Sequence, residues 1–302
     1  MNAPISVLVT TYNEEINIED CLKSCQNWAD EVIVVDSFSN DRTLKIAENY
    51  GAEIYQHEYI SPPDQKNWAL DNIDFKNEWV FIIDADERFM PALKTELEEI
   101  VSNDGAGHVG YYVNRKYIFY GKWIKHCGWY PSWNLRFFKH QLGRYEDRKI
   151  HEHVIIDGPV GYCKNDMLHE DRHDFKSWMS KQVRFAAAEA NERYLASNTA
   201  KKTTTFKDLF FGDPVQKKRA LKEKIWMHLP FKSTIRFVHL YFFKKGFLDG
   251  FHGLRFCLLW AILEFIILTH YWEIKHFKSG APEGSINTHA FKNFDENKSV
   301  KN

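Results

Sequence analysis

The 302-residue chain is predicted to take an α/β fold: a mostly parallel sheet with helices on both faces, extended by antiparallel strands and followed by a helical C-terminal region. Three observations carry that expectation. Apolar, strand-like runs alternate with helically spaced stretches through the first hundred residues, the pattern of parallel strands joined by crossover helices. Three of the runs end in polar clusters, and open parallel sheets bind ligands at the carboxyl ends of their strands. Between 108 and 170 the runs become short, aromatic and alternating, which predicts antiparallel strands added to the sheet.

The elements follow in order. ISVLVTT (5–11) is a β-branched run ending at Tyr12-Asn13, and Ile16, Ile18, Leu22 and Cys25 then give helical spacing over 14–28. EVIVVD (31–36) is the second strand; Asp41 is placed to N-cap a helix over 42–50 that Gly51 closes. AEIYQH is the third strand, running into a Pro-Pro loop and a helix at 65–73. WVFIIDADE (79–87) is the fourth, and a helix at 91–102 precedes the runs YYVNRKYIFY, SWNLRFFKH and HEHVII. Helices are predicted at 174–196 and 213–229, and an almost unbroken helical, aromatic, basic region at 231–272. These divide the chain into an α/β domain over 1–172, a helical region over 173–278 and a polar tail over 279–302.

Hydrophobic residues are 44% of the chain and charged residues 27%, which excludes a disordered or collagen-like protein. The 40 basic and 41 acidic side chains are unevenly placed: residues 1–200 carry 22 and 32, residues 201–302 carry 18 and 9. An acidic front and a basic back imply two surfaces with different partners. The aromatic share of 16% points to ligand platforms or an interfacial surface as well as core. Cys21, Cys25, Cys127, Cys163 and Cys257 include no CxxC pair, so neither a disulfide framework nor a structural zinc site is expected; Cys21 and Cys25 read as buried small hydrophobes. The start MNAPISVLVTTYNEE lacks the basic and long apolar regions of a signal peptide, and a reducing, cytosolic setting is the expectation.

Asp84 and Asp86 stand at the end of an apolar strand with one residue between them, so period two directs both to one side. A hard cation such as Mg²⁺ or Mn²⁺ prefers oxygen ligands and shares them with substrate phosphates. The plainer alternative is that Asp84 caps the strand and Asp86 N-caps the next turn. Placement on the same edge as Asp36 favours the functional reading.

Thr10-Thr11-Tyr12-Asn13-Glu14-Glu15, then Val35-Asp36-Ser37-x-Ser39-x-Asp41-x-Thr43, then Asp84-Ala85-Asp86-Glu87 resemble the motifs of the inverting family-2 glycosyltransferases of GT-A fold. The likeness covers roughly 1–170. The block Gly143-Arg144-Tyr145-Glu146-Asp147-Arg148-x-Ile150-His151-Glu152-His153-Val154, followed by His169, is similar to a bacterial lipopolysaccharide-core subgroup that adds β-glucose to a heptose, as is Gly246-Phe247-Leu248-Asp249-Gly250. The resemblance implies a UDP-sugar donor, with Tyr12 and the backbone around Thr11, Asn13 and Glu14 holding the uracil and Asp36 accepting its ring N–H. It implies that Asp84, beside Ala85, faces the ribose or first phosphate, that Asp86 is the main metal ligand, and that Lys66 and Asn67 touch the nucleotide-sugar. The Gln-x-x-Arg-Trp signature common in the family is absent, which leaves the acceptor side undefined.

A sugar hydroxyl is a poor nucleophile, so a carboxylate base should take its proton during attack, an effect worth about 10²–10⁴-fold. Glu146, Asp147 and Glu152 are the candidates. The family's Glu-Asp pair points to Asp147 and the subgroup's His-Glu motif to Glu152, which is preferred. Glu146 and Asp147 otherwise read as a solvated turn paired with Arg144, Arg148 or Lys149. Among the histidines, His169 is a candidate metal or phosphate contact, whereas His151 and His153 read as hydrogen-bonding strand residues. Trp129, Tyr130, Trp133 and Arg136 either line the acceptor site or pack an edge strand, and Arg136 alternatively clamps a phosphate.

FCLLWAILEFIILTHYW (256–272) is 17 residues with Glu264 inside, at the short limit for a membrane span. Helices lying in the headgroup plane fit better, with Lys and Arg toward anionic lipid; an annex on the catalytic domain or on a second protomer is the alternative. Lys217, Lys218, Arg219, Lys222 and Lys224 then form a lipid contact or a solvated helix face. The expected partners are a nucleotide-sugar, a glycan or lipid-linked acceptor and the inner membrane surface, not nucleic acid. Two other classes compete. A sugar nucleotidyltransferase would open on a Gly-rich basic loop, which TTYNEEIN is not; a non-catalytic nucleotide-sugar-binding module would not need Asp84, Asp86 and Glu152 together.

Overall fold

The computed structural model describes residues 2–146, 153–199 and 231–277. Two of the three base candidates, Asp147 and Glu152, the expected helix at 213–229 with its basic cluster, and the tail at 279–302 lie outside the described residues. The described residues fall within two compact units, Met1–Gln182 with Phe231–Leu263, and Val183–Pro230 with Glu264–Asn302.

The first unit opens with β1 (Ala3–Thr11), α1 (Ile18–Cys25), β2 (Ala29–Asp36), α2 (Thr43–Asn49), β3 (Glu53–Gln56), α3 (Pro62–Asn72), β4 (Trp79–Asp84), β5 (Glu87–Arg88) and α4 (Pro91–Ser102). It continues through β6 (Gly110–Phe119), β7 (Lys122–Trp123), β8 (Trp133–Lys139), β9 (Gly143–Tyr145), β10 (Val154–Ile156) and β11 (Val160–His169). Nine described strands form one sheet in the order β3-β2-β1-β4-β8-β6-β11-β5, with β7 on β6, while β9 and β10 pair separately. Side chains alternate across the pleat and both faces are covered, which is why β1 has consecutive apolar residues at Val7, Leu8 and Val9. Val7 and Val9 pack with Phe81, Ile83 and helices α1 and α4 on one face, Leu8 with Ile33, Ile82 and α3 on the other.

β1 is parallel to β2 and β4, as expected. β8 is antiparallel to both β4 and β6, so β4 and β6 run the same way. The expected antiparallel extension is mixed: β11 pairs with β6 in parallel, because the chain re-enters at Val160 beside Gly110, where β6 begins. The carboxyl ends of β1, β2, β4, β6 and β11 therefore share one edge.

Several boundaries differ from expectation. The helix expected from 14 begins at Ile18; Asn13 takes a positive φ of 54°, and the Glu14 carbonyl accepts from the N–H groups of Asn17 and Ile18. The Pro-Pro pair is not loop but the first turn of α3, where the missing N–H donors cost nothing and Ser61 Oγ accepts from Asp64 N at 3.3 Å. The strand expected to reach Glu87 stops at Asp84, and Ala85-Asp86 form a turn. α2 is one residue shorter at each end than expected and its N-cap position is Arg42 rather than Asp41, although Asp41 Oδ1 still accepts from Thr43 N at 2.9 Å and Gly51 follows the helix with φ 71°.

α5 (Phe175–Thr199) and, within the next described segment, α6 (Lys232–Val238) and α7 (Gly250–Phe277) are the remaining described α-helices. The region 231–272 is not one helix: positive φ at Lys245 (58°) and Gly250 (64°) breaks it, and the Asp249 carboxylate accepts from His126 N at 2.8 Å. α7 has 28 residues and belongs to a helix long and apolar enough to cross a membrane by length and composition. Its exposed positions Phe251, Arg255, Leu258, Ile262, Phe265, Thr269 and Trp272 recur every three or four residues as one stripe. In the second unit Arg193 Nη1 donates to the buried Glu264 at 2.8 Å. All five cysteines are free and buried, with Cys127 and Cys257 sulfurs 3.5 Å apart.

Candidate active site

The shared edge collects the polar strand ends. Thr11 is buried while Tyr12 is half exposed, so the β1 terminus offers a ring and a backbone rather than a charge. Asp36, at the end of β2, is fully buried, and its Oδ2 accepts from Ser39 N at 2.7 Å and Oδ1 from Ser39 Oγ. Ser39 Oγ accepts in turn from Asn13 N at 2.7 Å, and Asn13 Oδ1 from Asn40 N at 2.9 Å, so the β1 and β2 loops are tied together.

Beside that edge lies a cluster of ion-paired charges in which Arg136, Lys66 and Glu87 are buried and Asp84 and Arg115 half-buried. Arg136 on β8 donates from Nη2 to Asp84 Oδ2 at 2.7 Å and to Glu87 Oε1 at 3.2 Å. Lys66 on α3 reaches Asp84 Oδ1 at 3.2 Å, Thr10 donates to the same oxygen, and Arg115 on β6 reaches Glu87 at 3.3 Å. Burial pushes the Asp84 carboxyl up, but Arg136 and Lys66 outweigh it and hold it well below the usual range. Glu87 meets the same opposition between burial and Arg136 and lies at about 2.

Asp86 is different. Its carboxylate is nearly buried in the turn after β4, makes no hydrogen bond among the described residues, and lies 3.5 Å from His169 Nε2. Burial lowers the His169 imidazolium, but Asp86 and Glu87 outweigh it and raise its pKa. Among the described residues no three His, Cys, Asp or Glu side chains form a metal cluster. A buried carboxylate lacking hydrogen bonds, next to an imidazole, nonetheless suits a divalent ion that takes its remaining ligands from phosphate and water. Asp84 and Asp86 thus differ in situation, because the turn at Ala85 ends the strand periodicity that would have made them equivalent.

Asn67 closes both of its amide atoms onto the β9 backbone: Nδ2 donates to Tyr145 O at 2.9 Å and Oδ1 accepts from Tyr145 N at 2.8 Å. Trp129 packs against Phe256 and Trp260, and Tyr130 Oη donates to Asp166 at 3.2 Å, whereas Trp133 is exposed.

Several groups at this edge carry no sequence motif. Burial pushes Glu14 up to about 7, against Lys181 at 3.8 Å and a 2.7 Å hydrogen bond from Asn17. Lys181, on α5, loses basicity to burial but gains more from Asp86, Glu14 and Asp171, so its pKa is raised. Asp171 accepts from Asn17 at 3.2 Å and pairs with His173 at 2.7 Å. Only the tertiary fold brings 14, 17, 86, 171 and 181 together; helical spacing within α5 would have shown Lys181 as one solvated lysine among several.

The description Glycosyl transferase family 2 matches residues 6–161, more than half of the chain. The chain belongs to glycosyltransferase family 2. Within that family it is 27% identical over 219 residues to the lipopolysaccharide core biosynthesis glycosyltransferase LpsC of Rhizobium meliloti, covering 70% of this chain and 78% of that one. An uncharacterized glycosyltransferase of Rickettsia bellii is 41% identical over 99 residues, 33% of each chain. Among solved structures, the mannosyltransferase PcManGT of Pyrobaculum calidifontis, in complex with GDP-Man and Mn²⁺, is 16% identical with a TM-score of 0.48, covering 90% of this chain and 87% of that one. This family-2 glycosyltransferase has its three polar strand ends on the edge that the sheet topology makes common to β1, β2 and β4.

Proposed function

We propose that this glycosyltransferase moves a hexose, glucose foremost, from a UDP-sugar to a glycan or lipid-linked acceptor with inversion, in lipopolysaccharide core or surface polysaccharide synthesis. The observation that carries the reading is the division of labour at the end of β4. Asp84 is locked between Lys66 and Arg136, and Asp86 is left as the carboxylate without hydrogen bonds at the rim. Asp86, with His169 and Asp84, would hold Mg²⁺ or Mn²⁺; bound there, the ion supplies positive charge for a departing diphosphate.

The chain's own groups do the rest. Tyr12, with the backbone of Thr11, Asn13 and Glu14, receives the uracil beside Asp36. Lys66 and Arg136 fix Asp84 toward the ribose side, and Asn67 anchors β9, which leads into the segment carrying Asp147 and Glu152. Glu152, with Asp147 as the alternative, takes the proton from the attacking hydroxyl. Attack opposite the leaving group turns an α-linked donor into a β-linked product. Residues 1–172 form the catalytic domain, and the helical region 173–278 works at the inner face of the cytoplasmic membrane, where the stripe on α7 meets lipid.

The test is incubation with UDP- and GDP-sugars in the presence of Mn²⁺, Mg²⁺ or a chelator, following diphosphate release. One donor is expected to be hydrolysed slowly, and only with the cation. Equal turnover in chelator would remove Asp86 from a metal role.

A further inference from the structure

Away from the reacting edge, two thiols meet inside the first unit. Cys127 lies in the loop after β7 and Cys257 near the start of α7; both side chains are fully buried, and their sulfurs are 3.5 Å apart although 130 positions separate them in the chain. Other bonds hold the two segments in register. Cys127 N donates to Lys244 O at 3.1 Å, and His126 meets the Asp249 carboxylate through both its backbone N–H and its Nδ1, each at 2.8 Å. Gly246 lies against both sulfurs: a Cβ there would come within 2.7 Å of the Cys257 sulfur and 2.9 Å of the Cys127 sulfur, so a glycine is what leaves room for the pair. Cys21, Cys25 and Cys163 belong to a different core, between the sheet and its helices.

We infer that Cys127 and Cys257 are a modification site, a pair that a hydroperoxide closes into a reversible disulfide, pinning the start of α7 to the loop after β7. A disulfide needs about 2.05 Å between sulfurs, so the pair is about 1.5 Å from bonding distance. In the first step a thiolate attacks the peroxide O–O bond, giving a sulfenic acid and releasing an alcohol, or water where the oxidant is hydrogen peroxide. The neighbouring sulfur then attacks the sulfenic sulfur, loses its proton and expels water. Two thiols and one hydroperoxide thus give one disulfide, one alcohol and one water, and two electrons pass from sulfur to the peroxide oxygens. A small thiol reverses the reaction by exchange and is itself oxidised to its disulfide. Cys257 is the sulfur that attacks first. Hydrogen bonding between the sulfurs lowers the Cys257 pKa and raises that of Cys127, whose sulfur also lies 3.7 Å from Asp249 Oδ2. Cys127 is the resolving partner. The same loop carries Trp129, which packs on Tyr117 at 5.2 Å between centroids, and Tyr117 packs on His169 at 5.0 Å, so the bond fastens the aromatic support behind His169.

The experiment treats the full chain, reduced with dithiothreitol and then freed of it, with hydrogen peroxide in urea from zero to just below the unfolding transition. Peptide mass spectrometry without reductant should find the Cys127 peptide joined to the Cys257 peptide within one chain, two hydrogens lighter than their sum, and dithiothreitol should separate them. Amide hydrogen exchange over 246–260 should slow by about tenfold or more in the linked chain, and Cys257→Ala, a residue that suits a helix, should abolish both the link and the slowing. Should that variant fail to fold, the link in the native chain is decisive. Sulfinic acid at Cys257 in place of the link, a link of either residue to another cysteine or to a second chain, retention of both thiols at every urea concentration, or slowing that persists in Cys257→Ala overturns the inference.

Discussion

Arg136→Met tests the charge cluster around Asp84 and Glu87 most severely. Arg136 is almost completely buried and donates to both Asp84 and Glu87, so its removal leaves the half-buried Asp84 and the fully buried Glu87 with Lys66, Arg115 and His169 as the neighbouring cations among the described residues. Burial raises the Glu87 carboxyl, and Arg136, followed by His169 and Arg115, draws it down from 4.5 to about 2. At about 1.4 kcal/mol per pH unit, that gap gives the ionised carboxylate about 3 kcal/mol of stability at neutral pH. Breaking one partner of a buried pair costs about 3–5 kcal/mol in general, in agreement. The sign follows from the direction of each shift. In the native chain the Glu87 contribution is complete above about 4.5 and is lost as the pH falls toward 2. In the variant, burial without Arg136 lifts the carboxyl above 4.5, so the variant loses stability as the pH rises from 5 to 7.5. Urea unfolding followed by tryptophan fluorescence should show a deficit of about 3 kcal/mol or more at pH 7.5 that narrows at pH 5. A deficit below about 1 kcal/mol, or one equal at both pH values, would refute the reasoning.

Asp86→Asn should lower cation-stimulated donor turnover by 10²-fold or more while the unfolding free energy stays within about 1 kcal/mol of native, since the carboxylate makes no hydrogen bond among the described residues; diphosphate release and urea titration measure the two. Glu152→Gln should keep UDP affinity and lose about 10²–10⁴-fold in transfer, and Asp147→Asn should lose less; the reverse ranking in a single-turnover assay exchanges their roles. Phe251→Glu with Phe265→Glu should release the chain from vesicles containing anionic phospholipid in a sedimentation assay; retention would mean that the exposed stripe on α7 is not what meets lipid. Arg193→Leu should destabilise the second unit by about 3–5 kcal/mol, because Glu264 then stays buried inside an apolar helix without its 2.8 Å partner; unchanged thermal unfolding of that unit contradicts it.

The parallel half of the sheet was legible because β1, β2 and β4 are buried on both faces, and burial writes itself as runs such as SVLVTT and VFIID. What surrounds them was less so. Pro62-Pro63 looks like a loop until Ser61 is seen capping the turn they begin, and the helical spacing from Ile16 does not reveal that Asn13 has turned the backbone left-handed. The parallel pairing of β11 with β6 joins residues some fifty apart and leaves no local trace. At the site, the motif residues could be named but not their states. Two aspartates with one residue between them look equivalent, and the positions of Lys66 and Arg136, arriving from α3 and β8, tie up Asp84 while Asp86 has no hydrogen bond among the described residues. Lys181 and Asp171 sit in no recognisable pattern, since their meaning is created by α5 turning back over the edge.

The five sequestered thiols offer a native reporter that needs no engineered probe. Cys21, Cys25 and Cys163 lie in the sandwich formed by the sheet and its covering helices, whereas Cys127 and Cys257 meet where the first turns of α7 close over the loop after β7. A thiol-reactive dye should therefore label the chain in two kinetic groups of three and two, each timing the opening of its own region. Accelerated labelling of the pair alone would mark α7 lifting away while the core of the sheet stays shut.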